Sequence, residues 1–440
     1  MSLKVLPVAF TGLVWGHPEH KHGRRWRPQD RIPEKLDTYR EQLQGVHLAE
    51  LYTLEDRQQT AELLKLAAEA DVVLCAYSEL LASTWAATAL EQSPVPVILH
   101  NMDNYPGAVM TDVYGYLHSR GCDARLALNM TELAGMIAGL AAKKRLSETT
   151  MLIIGDAFPS PSQAASIADA DLLQQRLGVE PVLRSIDAFM GAYQAANEGA
   201  AREQADAWFA GAERIEAREA IEPDIVEIAK VYLAIRQMID EAGANAFTID
   251  CRDWDELTME KFGRFYGPCM SLTTLRFDGI PAACEGDVCG LLGLCALTYV
   301  SGLPAFLGNI GRVNPDEGWI AVEHASAAPN MDGSRDELAG YWLTDYQNRG
   351  TGCASYCSVP AGFDATVARF DRNLKSISFF TGVTRETERC FEVETPHVED
   401  FMHRCLIGDH HGVVYGDHSP ALRVLAESLG MGILEAGKGS

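Results

Sequence analysis

The stretch PAACEGDVCG, residues 281–290, places two carboxylates, Glu285 and Asp287, at the head of the most apolar run of the chain, which continues from Leu291 to Val300. Carboxylates enter such surroundings only with a counter-ion, backbone donors or a metal beside them. Three later stretches carry complementary groups. FLGNIG (306–311) brings Asn309 to a strand-like end, AVEHASAAP brings Glu323 and His324, and GDHHGVVYGD (408–417) holds the adjacent pair His410 and His411. Neighbouring side chains of a strand face opposite ways, so at most one of the two histidines can look into a given site. One Glu, an amide or acid, and a His from apolar strand ends would suit a divalent ion with hard oxygen ligands plus an imidazole, with positions left open for substrate oxygens. Each stretch also has an ordinary explanation. Glu285 and Asp287 can cap a buried helix at roughly 288–300; Asn309 can serve a turn; a lone His at a strand end, or a His pair, is commonly structural.

The elements that would position these groups follow from periodicity. LKVLPVAF (3–10), ADVVLCAY (70–77) and VPVILHNM (95–102) are short β-branched runs of buried-strand length, separated by helical spacing at 34–45, 55–69 and 82–92. That alternation predicts a mostly parallel sheet with helices on both faces. TTMLIIGDA (149–157) and NAFTIDC (245–251) predict strands of a second α/β layer, with 187–242 helical almost throughout. After about 303, short alternating runs such as WIAVEHAS, KSISFFTG, CFEVET and GVVYGD predict antiparallel β-structure, closed by a helix from Ser419 or Pro420. The expected organisation is an α/β chain: an N-terminal doubly wound domain over 1–147, a second over 148–302 carrying the CEGD segment, and a β-rich, barrel-like domain over 303–440.

One further loop stands out. GHPEHKHGRRWRP (16–28) gathers three His, one Lys and three Arg directly after the first predicted strand, at the carboxyl edge where open α/β sheets bind ligands. His17 and Arg24 there are candidate substrate contacts, suited to an anionic sugar among others, against the plain alternative of a charged surface loop. His118 and Arg120, in YLHSRGCDAR, are weaker candidates of the same kind.

Composition sets the limits. With 61 acidic and 37 basic residues the formal charge is −24, a field that repels nucleic acid and anionic membrane. The amino terminus lacks a signal-peptide pattern and no apolar run reaches membrane-spanning length. Eleven scattered cysteines, without zinc-ribbon or CxxC spacing, point to a reduced, cytoplasmic protein.

Residues 269–309, CMSLTTLRFDGIPAACEGDVCGLLGLCALTYVSGLPAFLGN, resemble the metal-site segment of the L-fucose isomerase and L-arabinose isomerase superfamily. EHASAAP (323–329) and DHHGVVYGDHSPALRVLAESLGM (409–431) resemble its later segments in the same order. The resemblance is strong over roughly 265–330 and 405–435 and architectural before 260. It implies a three-domain fold, a manganese-type divalent ion held at Glu285, Asn309 and His411, and His324 as a further ligand in the arabinose branch. It also implies aldose–ketose isomerisation through a cis-enediol, with Glu285 and the 309 position catalytic, in a homo-oligomer (trimer or hexamer) whose active site lies near a subunit interface. This sequence departs from the pattern at one point: Asn309 stands where the family has an acid, and an amide cannot accept a proton near neutral pH. Proton transfer is then expected to fall to Glu285 alone or with another acid (Glu323, Asp316 or Glu317), unless the chemistry itself has changed. The rival expectations are a non-catalytic sugar-binding homologue, or another enediolate reaction such as epimerisation or retro-aldol cleavage on the same scaffold.

Overall fold

The apolar runs of the first third fold as parallel strands, because runs without polar alternation must be covered on both faces. They are β1 (Leu3–Phe10), β4 (Val72–Ser78) and β5 (Val97–His100), joined by the shorter, part-exposed β2 (Val46–Leu48), β3 (Tyr52–Leu54) and β6 (Ala124–Ala127). Their order is β2-β1-β4-β5-β6, with β3 also on β1, and every pairing is parallel. The helices Thr60–Ala68, Ser83–Leu90 and Gly107–Ser119 intervene, and Phe10 and Trp85 meet edge-on in the core. The structure, a computed structural model, describes residues 2–11, 32–43, 45–78, 82–100, 107–167, 169–334 and 338–439; His17 and Arg24 lie outside them. The chain divides into two compact units, Met1–Ala141 and Ala142–Ser440. The segments 148–302 and 303–440 thus fall within one unit.

That second unit holds two kinds of sheet. β7 (Thr150–Ile154), β8 (Glu180–Arg184), β10 (Ala246–Ile249) and β11 (Ala282–Ala283) form a parallel sheet ordered β11-β10-β7-β8. The span 187–242, expected to be helical almost throughout, contains helices Ile186–Ala195, Glu198–Gly211, Arg218–Ile221 and Ile225–Ala242, interrupted by β9 (Arg214–Ile215). This two-residue strand owes its existence to a distant partner, β14 (Tyr341–Thr344), which also pairs β15 (Ala354–Cys357). No local pattern announces such a strand.

The last third is strand-rich as its alternation predicts. It comprises β12 (Phe306–Asn314), β13 (Trp319–Glu323), β16 (Asp364–Phe370), β17 (Ser376–Thr384), β18 (Cys390–Glu394), β19 (His410–Tyr415) and β20 (Gly432–Glu435). Their order is β16-β19-β12-β13-β18-β17-β20, and β16 also pairs with β17. Asn309 is not at a turn: β12 runs through it. Gly308 beside it serves close strand approach instead, since a Cβ there would lie 2.9 Å from the Glu323 backbone nitrogen.

Between the two sheets runs the helix Val288–Ser301, every residue of which is buried except the last. A helix apolar all round must be covered all round. This one packs on β10 and β11 on one side and on β12, β16 and β19 on the other. Gly293 permits the approach: a Cβ there would sit 2.8 Å from the Ala368 carbonyl oxygen. The amino end of this helix therefore faces both sheets at once. No helix among the described residues is long and apolar enough to cross a membrane.

Candidate metal centre

At that amino end the two carboxylates divide the work. Asp287 is the helix cap, its Oδ1 accepting from the Gly290 N–H at 3.1 Å, so the capping explanation holds for this residue. It is wholly buried and gripped by the equally buried Arg369, with Nη1 to Oδ2 at 2.6 Å and Nη2 to Oδ1 at 3.1 Å. Burial by itself would raise the Asp287 carboxyl, but the Arg369 guanidinium and His410 outweigh it and hold the group well below the carboxylate range.

Glu285 does something else. Its φ is +59°, a left-handed conformation uncommon outside glycine. In an extended chain the side chains of 284 and 285 would point apart; this turn breaks that alternation, and both face one place. One ligand atom from each of Cys284, Glu285, His324 and His410 lies within 4.8 Å of the others. Cys284 Sγ is 3.1 Å from His324 Nε2, His410 Nε2 is 4.0 Å from Glu285 Oε2, and Gln163 donates its amide N–H to Glu285 Oε2 at 2.5 Å.

The outer contacts fix both imidazoles in one tautomer. His324 Nδ1 meets the Ala325 carbonyl oxygen at 2.9 Å, and His410 Nδ1 meets Asp287 Oδ2 at 3.2 Å. A carbonyl and a carboxylate only accept, so each Nδ1 carries the proton and each Nε2 turns a lone pair inward. His410 Nε2 is buried without any hydrogen-bond partner, and the side chain is 0% exposed. Burial lowers the His324 imidazole below its ordinary value, against the opposing pull of the Ala325 carbonyl, which favours the neutral, ligating form. A carboxylate behind a histidine is the usual outer support of a metal ligand. The donor set fits a divalent cation.

The structure brings Glu285 and His324 together as the sequence proposed, and corrects the third partner. His410, not His411, completes the group. β19 begins at His410, whose partner across the ladder is Asn309, while His411 pairs with Gly308 and takes the opposite face. There His411 packs edge-on to Phe401, ring centroids 5.4 Å apart, and burial pushes its imidazole down to about 3; it is a neutral core residue. Asn309 adjoins the site, giving its Nδ2–H to Asp409 Oδ2 at 2.9 Å. The acids considered as its replacement are engaged elsewhere: Glu323 pairs with Arg312 at 2.7 Å, Glu317 accepts from Trp319 Nε1 at 2.8 Å, and Asp316 is exposed. In the first unit, His118 stacks on Tyr114 and Arg120 binds Glu91 at 2.7 Å. His118 is in the last turn of the helix Gly107–Ser119 and Arg120 just beyond it, ahead of the amino end of β6 rather than at a carboxyl edge, so they do not meet the condition that made them candidates.

Cys284 is the ligand-type residue that sequence reasoning missed. Its signal was position: a cysteine directly before an acid, in a Gly-containing turn at a strand end, rather than inside an apolar run. The turn is tight. Gly286 has φ +63°, and a Cβ there would lie 2.6 Å from Ser160 Cβ, while Ser160 Oγ is fixed to Asp250 Oδ2 at 2.6 Å. Gly286→Ala is expected to cost about 1–3 kcal/mol, read from chemical unfolding. A change below about 0.5 kcal/mol, as at an indifferent surface position, would show that the Ser160 loop yields freely.

No protein-family model matches the chain, and neither does any curated protein sequence.

Proposed function

We propose that the chain is a divalent-metal-dependent aldose–ketose isomerase acting on a sugar through a cis-enediol. The single observation that carries this is His410 Nε2, buried and unpartnered, turned by the Asp287–Arg369 pair toward Cys284, Glu285 and His324. The resemblance of 269–309 to the fucose and arabinose isomerase segment supplies the reaction class. A divalent cation there would polarise adjacent carbonyl and hydroxyl oxygens of the substrate. Glu285 moves the proton: its carboxylate takes the C2 proton of the open-chain aldose and returns it to C1, while one proton passes from O2 to O1. Gln163 fixes Oε2 and leaves the second oxygen to meet the substrate. On this reading the strand ladder that returns from β17 to β16 is a barrel-like third domain, and the protein is a cytoplasmic homo-oligomer.

The test is a panel of aldoses, anionic ones included because of the basic loop at 16–28, incubated with protein and Mn²⁺ or Zn²⁺ in D₂O. Ketose is the expected product, with solvent deuterium at C1 to the extent that the proton held by Glu285 exchanges with water before it is returned. Sugar-dependent thermal stabilisation without turnover would instead indicate a binding protein, and three-carbon fragments from a ketose would indicate retro-aldol cleavage.

A further inference from the structure

We propose that Cys284, His324 and His410 alone hold the ion, as a sulfur–nitrogen set suited to zinc-class cations, with Glu285 left outside the set as the proton acceptor. This rests on the metal-dependent reading of the site and departs from the oxygen-rich, manganese-type set expected from the sequence resemblance.

Three observations carry it. First, the thiol is already at the ligand position. Cys284 is 3% exposed, and its Sγ lies 3.1 Å from His324 Nε2. With the proton of that imidazole committed to the Ala325 carbonyl at Nδ1, Nε2 can only accept, so the S–H donates to it. A cation entering between them displaces that one proton, and sulfur and nitrogen turn to the ion together. Second, both histidines present Nε2 with Nδ1 supported from behind, by a carbonyl and by the buried Asp287. One thiolate and two such imidazoles form a three-ligand set that leaves a fourth position open, the arrangement of catalytic rather than structural zinc sites. Third, Glu285 is placed differently from the others. Its side chain is 35% exposed, its backbone is left-handed, and Gln163 holds Oε2 at 2.5 Å. A carboxylate that must exchange a proton with substrate is served by that half-open position.

Zinc outbinds manganese at most nitrogen and oxygen sites, so the preference alone decides nothing; its dependence on sulfur does. The experiment uses the full chain, metal-stripped under reducing conditions and titrated with Co²⁺, Zn²⁺ and Mn²⁺. Cobalt bound to a thiolate gives an intense near-ultraviolet charge-transfer band, which requires no variant and is expected here. Cys284→Ser is expected to abolish the band and to weaken Zn²⁺ binding by more than the ~10–100-fold that losing an outer support costs, while changing Mn²⁺ binding little. Glu285→Gln is expected to keep Zn²⁺ affinity within about tenfold. Apo-protein thermal midpoints show whether each variant folds. Cobalt binding without the band, an unchanged Zn²⁺/Mn²⁺ ratio in Cys284→Ser, or a loss in Glu285→Gln as large as that from removing His410 would each overturn the proposal. Failure of the unaltered protein to bind any of the three ions would overturn the metal-dependent reading itself.

Discussion

Arg369→Met is expected to destabilise the second unit by about 3–5 kcal/mol, the cost of leaving a buried carboxylate without its partner. Both side chains are wholly buried, and the guanidinium also donates to the His410 carbonyl oxygen at 2.7 Å and the Ala165 carbonyl oxygen at 3.2 Å. Removing it therefore strands three acceptors together. The pH dependence gives the diagnostic sign. In the native protein the Asp287 carboxyl is held below its unfolded value of about 3.9. Its contribution is thus present above that value and is lost only as pH falls through the folded one. In the variant, burial without compensation raises the carboxyl instead, so the folded state keeps a proton that the unfolded state has released. The deficit of the variant against the native protein should then grow from pH 4 to pH 7. Urea unfolding at several pH values measures it, and a pH-independent deficit would mean that Arg369 acts by packing alone. Combining Arg369→Met with Asp287→Asn should cost less than the two single changes added together, by about 1–3 kcal/mol, as residues in contact do.

The second large effect separates two adjacent residues. His410→Ala is expected to weaken divalent-metal binding by about a hundredfold or more, beyond the ~10–100-fold that losing an outer support costs, together with a cost to the fold, because the ring is buried and bonded to Asp287 Oδ2. His411→Ala should cost stability without the loss of binding. It empties a space beside Phe401 and should destabilise by about 2–4 kcal/mol, as other large-to-small core changes do, while leaving metal affinity within about threefold. Isothermal titration with Zn²⁺ or Mn²⁺, paired with unfolding curves, reads both quantities. Equal losses of metal binding in the two variants would mean that the strand parity around His410 is not as described.

Why one neighbour ligates and the other packs is a matter of register. The alternation rule foretells that only one histidine of the pair can face the site, but which one depends on where β19 meets β12. That meeting sets His410 against Asn309 and His411 against Gly308. The same contact places Asn309, for which a turn was the ordinary alternative to a ligand role, in the middle of a strand with its amide donating to Asp409. Cys284 was hidden for a related reason. Local spacing reads successive residues as alternating, whereas Glu285 has a positive φ in a turn that packs through Gly286 against the Ser160 loop, more than a hundred residues earlier in the chain.

The amino-acid order by itself determined much of the scaffold. The β-branched runs of buried-strand length became parallel strands, the run after Asp287 became a helix covered on every side, and alternation after 303 became mostly antiparallel structure, with β17 and β20 paired in parallel, because period and apolarity are properties of contiguous residues. It also marked Glu285 and His324 as residues of one site. The tertiary structure alone decided the membership of that site, with Cys284 and His410 in and His411 out, and the split of labour between a capping Asp287 and an open Glu285. Those choices depend on which strand edges meet and on which face each presents, and neither is written in any short stretch of sequence.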